Sequence, residues 1–146
     1  MYNMNMLART FSAIALIAGV AACSLQSQSD FDSQPFELVQ TVPRNYQAAY
    51  RNIVKAAREC WGFGPIVSVA PSSIELETEL YPDLGYGEVY SFMSGTVFMP
   101  YALVRVEKVA EGSKISVKTG PQAASERLYL SPPAKWAMGD MSCGHL

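Results

Sequence analysis

The hydrophobic pattern of this chain changes its period after residue 60, and this change restricts the possible folds more than any other feature. Over 46–60 the apolar residues recur as on one face of an amphipathic helix, at positions 46, 49, 50, 53, 54, 57 and 60. Farther along, apolar and polar residues alternate, most regularly over 74–80, as in strands with one solvated face. This order predicts an α+β fold, in which one long amphipathic helix packs on a mostly antiparallel sheet and short helical pieces follow near the C-terminus.

Clusters of glycine, proline and serine divide the rest of the chain into short segments. We predict strands over 35–42, 66–70, 74–80, 103–109 and 114–119, and two strands within 89–104 that break near Ser94 and Gly95. Gly112 lies between two of these strands and predicts the turn of a β-hairpin. Short helical segments are predicted over 122–130 and 133–138.

The first 22 residues have the pattern of a signal peptide. Arg9 precedes an apolar run over 11–22, which is shorter than the roughly 20 residues that a membrane span needs. The run ends in Val20-Ala21-Ala22-Cys23, which resembles the lipobox of bacterial lipoproteins. The resemblance implies cleavage before Cys23, a diacylglyceryl thioether on Cys23, and acylation of the new amino group by a chain such as palmitate. The alternative is an ordinary cleaved signal peptide that leaves a free cysteine.

The residues after Cys23 indicate in which membrane such a lipoprotein is anchored. Ser24, rather than aspartate, follows the cysteine, and in lipoproteins of Gram-negative bacteria this implies the outer membrane, with the domain facing the periplasm. The polar composition of 23–34 predicts a tether between the anchor and the folded part. Residues 35–146 are then expected to form a single α+β domain.

Two cysteines, Cys60 and Cys143, remain after Cys23 is assigned to lipid. An exported chain enters an oxidising compartment, so we predict a disulfide between them, and the alternative is a pair of unpaired buried thiols.

A possible metal site lies near the C-terminus. Its soft ligands suit Cu(I), and they are Met138, Met141, Cys143 and His145. A disulfide removes the thiolate from that set, and we therefore predict no metal site and no cofactor.

The sequence has little that supports catalysis. Its one histidine, His145, lies next to the last residue, and the motifs of activated serines are missing. Glu75, Glu77 and Glu79 share one strand face, but alternate residues lie about 6.5–7 Å apart, too far for all three to hold one small ion. The 11 basic and 13 acidic residues give a net charge of −2, which argues against nucleic acid as a partner. We predict no catalytic residues and no enzyme.

The segment 89–104 carries no charged side chain and is rich in aromatic residues. One interpretation places its strands in the core. The other makes it a candidate partner surface, because aromatic residues are enriched in protein interfaces. The residues of that surface are Tyr90, Phe92, Phe98 and Tyr101.

These observations lead to one functional expectation and one alternative. The expectation is a lipid-anchored, non-enzymatic periplasmic domain that serves as a binding or accessory module for an envelope protein, with the membrane as its second partner. The alternative is a lipoprotein that inhibits a hydrolase or binds a small ligand. A deep pocket lined by Tyr86, Tyr90 and Tyr101 favours the alternative, whereas a flat apolar face favours the first expectation.

Overall fold

The computed structural model describes residues 27–61, 73–95, 99–121 and 132–143. These residues form α1 (Gln28–Ser33), β1 (Leu38–Val42), α2 (Tyr46–Cys60), β2 (Ser73–Tyr81), β3 (Tyr86–Ser94), β4 (Met99–Val109), β5 (Gly112–Thr119) and α3 (Pro132–Met138). None of the helices in these ranges has the length and apolar character needed to cross a bilayer. The strand predicted over 66–70, the helix predicted over 122–130, and the residues Cys23, Phe98 and His145 lie outside the described residues.

The five strands form one antiparallel sheet in the order β1-β5-β4-β3-β2. Strands β2 to β5 follow one another as neighbours, and β1 pairs with β5, so β1 and β2 are the two edges of the sheet that the described residues form. The register places Val89, Val104 and Val117 side by side across the centre of the sheet. These valines are fully buried, and they define what we call the helix-covered face.

The predicted fold class, α+β around one long amphipathic helix, is wrong. The described structure is largely β, because strands of up to 11 residues build the sheet while the helices have 6, 15 and 7 residues. The segment 46–60 is helical as α2, but 15 residues make only about four turns. Helical periodicity is conspicuous in a sequence, whereas strands with charged outer faces give a weaker signal, so the expectation overweighted the helix.

The core lies between α2 and the helix-covered face. Asn45 begins α2, because its side-chain oxygen accepts hydrogen bonds from the backbone N–H groups of Gln47 and Ala48. The helix then buries Ile53 and three alanines, which let it approach the sheet closely. The opposite face of the sheet, which we call the open face, carries the alternate side chains Glu77, Glu88, Tyr90, Leu103, Arg105 and Lys118.

The C-terminal residues are attached to the end of α2. Cys60 and Cys143 form a disulfide with an S–S distance of 2.07 Å, which confirms the predicted bond and overturns the alternative of unpaired thiols. Beside it, the ring of Trp61 meets the fully buried ring of Trp136 edge to face, with centroids 4.9 Å apart. The disulfide also removes Cys143 from the set of soft metal ligands.

The folded part begins earlier than the sequence indicates. Residues 27–34, expected to belong to a polar tether, contain α1, which is capped by reciprocal hydrogen bonds between Ser27 and Asp30. Phe31, in the middle of α1, is fully buried against the open face. A single aromatic residue among polar ones carries no periodicity, and for that reason the composition alone indicated a tether.

The hairpin predicted at Gly112 is confirmed, and its glycine is needed for steric reasons. Val109 pairs with Gly112, whose φ of +136° is strained for any other residue. A Cβ atom there would lie 2.1 Å from the carbonyl oxygen of Val42. We therefore expect Gly112→Ala to lower the free energy of unfolding in urea by about 2 kcal/mol or more.

Gly85 is the matched control for this substitution. Its φ is +74°, and a Cβ atom there would meet only the Cβ of Lys108, at 3.6 Å. Gly85→Ala should therefore cost about 1 kcal/mol, the cost of the left-handed conformation alone. An equal or larger loss at Gly85 would contradict the steric argument.

Candidate functional site

The open face carries a cleft of about 400 Å³, on the side of the sheet away from α2. Its floor is a row of cross-strand neighbours: Glu77 pairs with Tyr90, Tyr90 with Leu103, and Leu103 with Lys118. A second row beside it contains Glu79, Glu88 and Arg105. The N-terminal segment forms the opposite wall through Gln28, Asp32, Gln34 and Phe36. The cleft is therefore completed by residues that are far in sequence from β2, β3, β4 and β5, the strands that form its floor.

Among the described residues, Arg105 is one of two cations that line the cleft, and it is already paired. Its Nη2 lies 2.6 Å from Oε1 of Glu88, and its Nε donates to the same oxygen at 2.7 Å. The guanidinium also lies over the rings of Phe36 and Tyr86, 5.6 and 5.2 Å from their centroids. Because both partners are partly exposed, the pair contributes under about 1 kcal/mol to stability, and its main effect is to position the guanidinium.

Lys118 is the second cation, and it is occupied by the N-terminal segment. Its side chain lies on the cleft floor with only 3% of the residue exposed. Nζ donates hydrogen bonds to the carbonyl oxygens of Phe31 and Asp32, at 2.8 and 2.9 Å, and it lies 4.8 Å from the ring centroid of Phe31. Burial lowers the pKa of Lys118, while the negative charge of Asp32 acts in the opposite direction.

The cleft has more negative than positive side chains. Asp32, Glu77, Glu79 and Glu88 line it, against the two cations already described. Within the ranges that the structure describes, neither Asp32 nor Glu77 has a basic side chain at ion-pair distance. The cleft thus presents carboxylates that its own cations leave unneutralised.

Tyr90 lies at the centre of the cleft and provides its aromatic surface. Its ring stacks on Phe31 with centroids 5.7 Å apart, and it also contacts Phe92 at 5.3 Å. Burial raises the pKa of Tyr90, and the charges of Asp32 and Glu77 act in the same direction. The phenol is therefore neutral at physiological pH.

The predicted partner surface is only partly brought together. Tyr90, Phe92 and Tyr101 are half-buried, and Tyr90 and Phe92 contact each other on the open face. Phe98 lies outside the described residues. Of the three tyrosines expected to line a pocket, Tyr90 lines the cleft, whereas Tyr86 and Tyr101 do not.

Sequence reasoning missed the residues that give the cleft its shape and charge. Leu103, Arg105 and Glu107 alternate with buried valines in β4, and this alternation was the available signal that Arg105 belongs to an outer face. No comparable signal exists for Phe31 and Phe36, because their contacts join residues that are far apart in sequence. The alternating glutamates of β2 lie on the open face, where Glu77 and Glu79 line the cleft and Glu75 lies outside it.

The side chains of the cleft can bind a positively charged group. Across the described ranges, no group of three or more His, Cys, Asp or Glu side chains is placed to hold a metal ion. Carboxylates, paired cations and aromatic rings instead offer ion pairs, hydrogen bonds and cation–π contacts to a positively charged group.

The Lys118 contacts predict a measurable effect on α1. We expect Lys118→Met to raise the hydrogen-exchange rate of the Phe31 and Gln34 amides about tenfold or more, because charged hydrogen bonds contribute about 1.5–3 kcal/mol each. Lys114→Met is the control, since Lys114 lies on the same strand but pairs with Glu107. Equal exchange in the two variants would show that Lys118 does not hold α1.

No protein-family model matches this chain, and no curated protein compared with it matches either.

Proposed function

We propose that this chain is a lipid-anchored, non-enzymatic domain of the outer membrane that faces the periplasm and binds an envelope protein through its open-face cleft. The resemblance of Val20-Ala21-Ala22-Cys23 to a lipobox supports the anchor. The disulfide between Cys60 and Cys143 supports export, because such bonds persist in oxidising compartments. The cleft supports binding, since it is concave and offers several polar groups to a partner.

The observation that carries the binding proposal is the unbalanced charge of the cleft. Asp32 and Glu77 line it without a salt bridge to any basic side chain in the described part of the chain, while Arg105 pairs with Glu88 and Lys118 bonds backbone carbonyls. A partner that inserts a lysine or arginine side chain would supply the missing charge and stack on Tyr90. We therefore propose that the partner presents a positively charged segment.

The cleft volume favours one alternative function. About 400 Å³ lies within the range of small-molecule sites, so a small ligand with a positive charge is the second candidate. A protein partner and a small ligand differ in mass, so the mass of the crosslinked adduct distinguishes the two functions.

The binding proposal is tested by photo-crosslinking in the native envelope. A photoreactive amino acid at Gln34, on the cleft wall, is compared with one at Gln47, on the exposed side of α2. We expect discrete protein adducts from position 34 and none from position 47. Glu77→Gln should weaken the adducts, whereas Glu75→Gln, on the same strand but outside the cleft, should leave them unchanged.

Each other outcome of the crosslinking has a definite meaning. Equal yields of adduct from both positions, or a yield that Glu77→Gln does not change, would contradict the proposal that the cleft binds the partner. An adduct at position 34 with the mass of a small molecule would replace the protein partner by a small ligand.

The anchor is tested by the mass of the N-terminal peptide and by membrane fractionation. We expect the wild-type protein to carry a thioether lipid on Cys23 and to sediment with the outer membrane. Cys23→Ser should release it to the soluble fraction, and Ser24→Asp, in a Gram-negative host, should retain it in the inner membrane. An unmodified Cys23 thiol would overturn the anchor.

A further inference from the structure

The segment 27–37, which we call the N-terminal strap, is fixed to the open face along its length. Phe31 is fully buried against Tyr90, and Nζ of Lys118 bonds two carbonyl oxygens of the strap. At its far end, Glu37 accepts hydrogen bonds from the backbone N–H and the hydroxyl of Thr119, at 2.9 and 2.8 Å. Its own N–H donates to the carbonyl of Val117 at 2.9 Å. The strap therefore cannot move far without the sheet.

The strap begins very close in sequence to the proposed anchor. Cys23 and Ser27 are four residues apart, so even a fully extended chain between them spans only about 15 Å. Because α1 lies on the open face, a lipid on Cys23 attaches the domain to the membrane from the side of that face and not from the side of α2. The far side of α2 is farther from the anchor by at least one helix diameter, about 10–12 Å.

Electrostatic attraction alone would orient the domain in the opposite way. Arg51, Lys55 and Arg58 are exposed on α2, where they line a groove together with Glu59 and with Thr78 of β2. The open face instead carries Glu75, Glu77 and Glu79. Anionic headgroups attract basic side chains by about 1 kcal/mol each near a membrane surface. A domain on a long free tether would thus turn α2 toward an anionic bilayer.

We infer that the strap overrides this attraction and holds the anchored domain with its open face, and hence the cleft, toward the membrane. The partner that fills the cleft is then a positively charged protein segment exposed at the same lipid surface. The basic side of α2 points away from that surface. This inference rests on the proposed lipid anchor at Cys23.

The test measures the distance of three positions from the lipid surface on the full, acylated protein. A thiol-reactive fluorophore is attached through Val39→Cys or Glu75→Cys, on the two edge strands of the open face, and through Lys55→Cys on α2. The proteins are inserted into vesicles of phosphatidylcholine and phosphatidylglycerol that contain a headgroup-bound quencher. We expect roughly twofold stronger quenching at 39 and 75 than at 55, because the heights differ by about one helix diameter or more.

A strap-release variant makes the test specific. Phe31→Asp places a charge where the buried ring stood, and we expect it to abolish the difference between the open-face labels and position 55, or to reverse it. Phe31→Ala is the milder variant if Phe31→Asp fails to fold by circular dichroism. Ser33→Ala, on the exposed side of α1, should retain the wild-type pattern.

The outcomes separate this inference from the proposed function. Equal quenching at all three positions, or stronger quenching at 55, overturns the orientation even when mass spectrometry finds the lipid on Cys23. An unchanged pattern in the folded Phe31 variants shows that the strap does not set the orientation. An unacylated Cys23 overturns the anchor and the orientation together.

Discussion

Removal of the Cys60–Cys143 disulfide is expected to lower the free energy of unfolding by about 4 kcal/mol. The bond joins residues 83 positions apart, and it therefore restricts a large part of the unfolded chain. It also ties the end of α2 to the residues after α3, so its loss loosens the packing of Trp136 beside Trp61. Most single substitutions cost far less than this, so the effect is well outside their usual range.

Urea denaturation of the Cys60→Ala/Cys143→Ala double variant measures this loss. The wild-type protein with a reductant should approach the unfolding midpoint of the double variant, and the variant itself should not respond to the reductant. A midpoint that is unchanged in the double variant would contradict a stabilising role for the bond.

Trp136→Ala is expected to cost a similar amount, about 3–5 kcal/mol. Trp136 is fully buried, and its ring contacts Trp61 edge to face with centroids 4.9 Å apart. Its Nε1 also donates a hydrogen bond to the carbonyl oxygen of Ser142 at 2.8 Å. An alanine leaves a cavity at the junction of α2 and α3 and leaves that carbonyl without its donor.

Trp136→Phe separates the contribution of the ring packing from that of the hydrogen bond to Ser142. Phenylalanine retains most of the packing but cannot donate to Ser142, so we expect a loss of about 1–2 kcal/mol from the missing hydrogen bond and the smaller ring. Chemical denaturation followed by the fluorescence of Trp61 gives both values. Equal losses for the two variants would show that packing of the ring contributes little.

Local patterns in the sequence were sufficient for some elements of the fold. Helical spacing located α2, and Gly112 between alternating strands located the β4–β5 hairpin. The pairing of Cys60 with Cys143 was predicted from the expected export and from the small number of cysteines. Each of these inferences depends on residues near in sequence or on a choice among few partners.

The other features of the fold and of the cleft depend on contacts between segments that are distant in sequence, and a single sequence does not reveal such contacts. The burial of Phe31 comes from Tyr90 and Lys118, which follow it by dozens of residues, so α1 was taken for a tether. The cleft could not be predicted either, because its two rows of side chains depend on the register of four strands. The balance between helix and sheet was misjudged because α2 has the most regular pattern, although the strands contain more of the described residues than the helices do.

Among the described strands β2 lies at an edge of the sheet, and this position has a consequence for crowding on a surface. An edge strand offers unpaired backbone groups to another molecule, and copies that the proposed anchor concentrates on one membrane would meet often. In β2, however, every second residue over 75–79 is a glutamate. Two such edges that approached each other would bring rows of like charges together, which costs free energy. The acidic edge thus protects the domain against strand-to-strand aggregation.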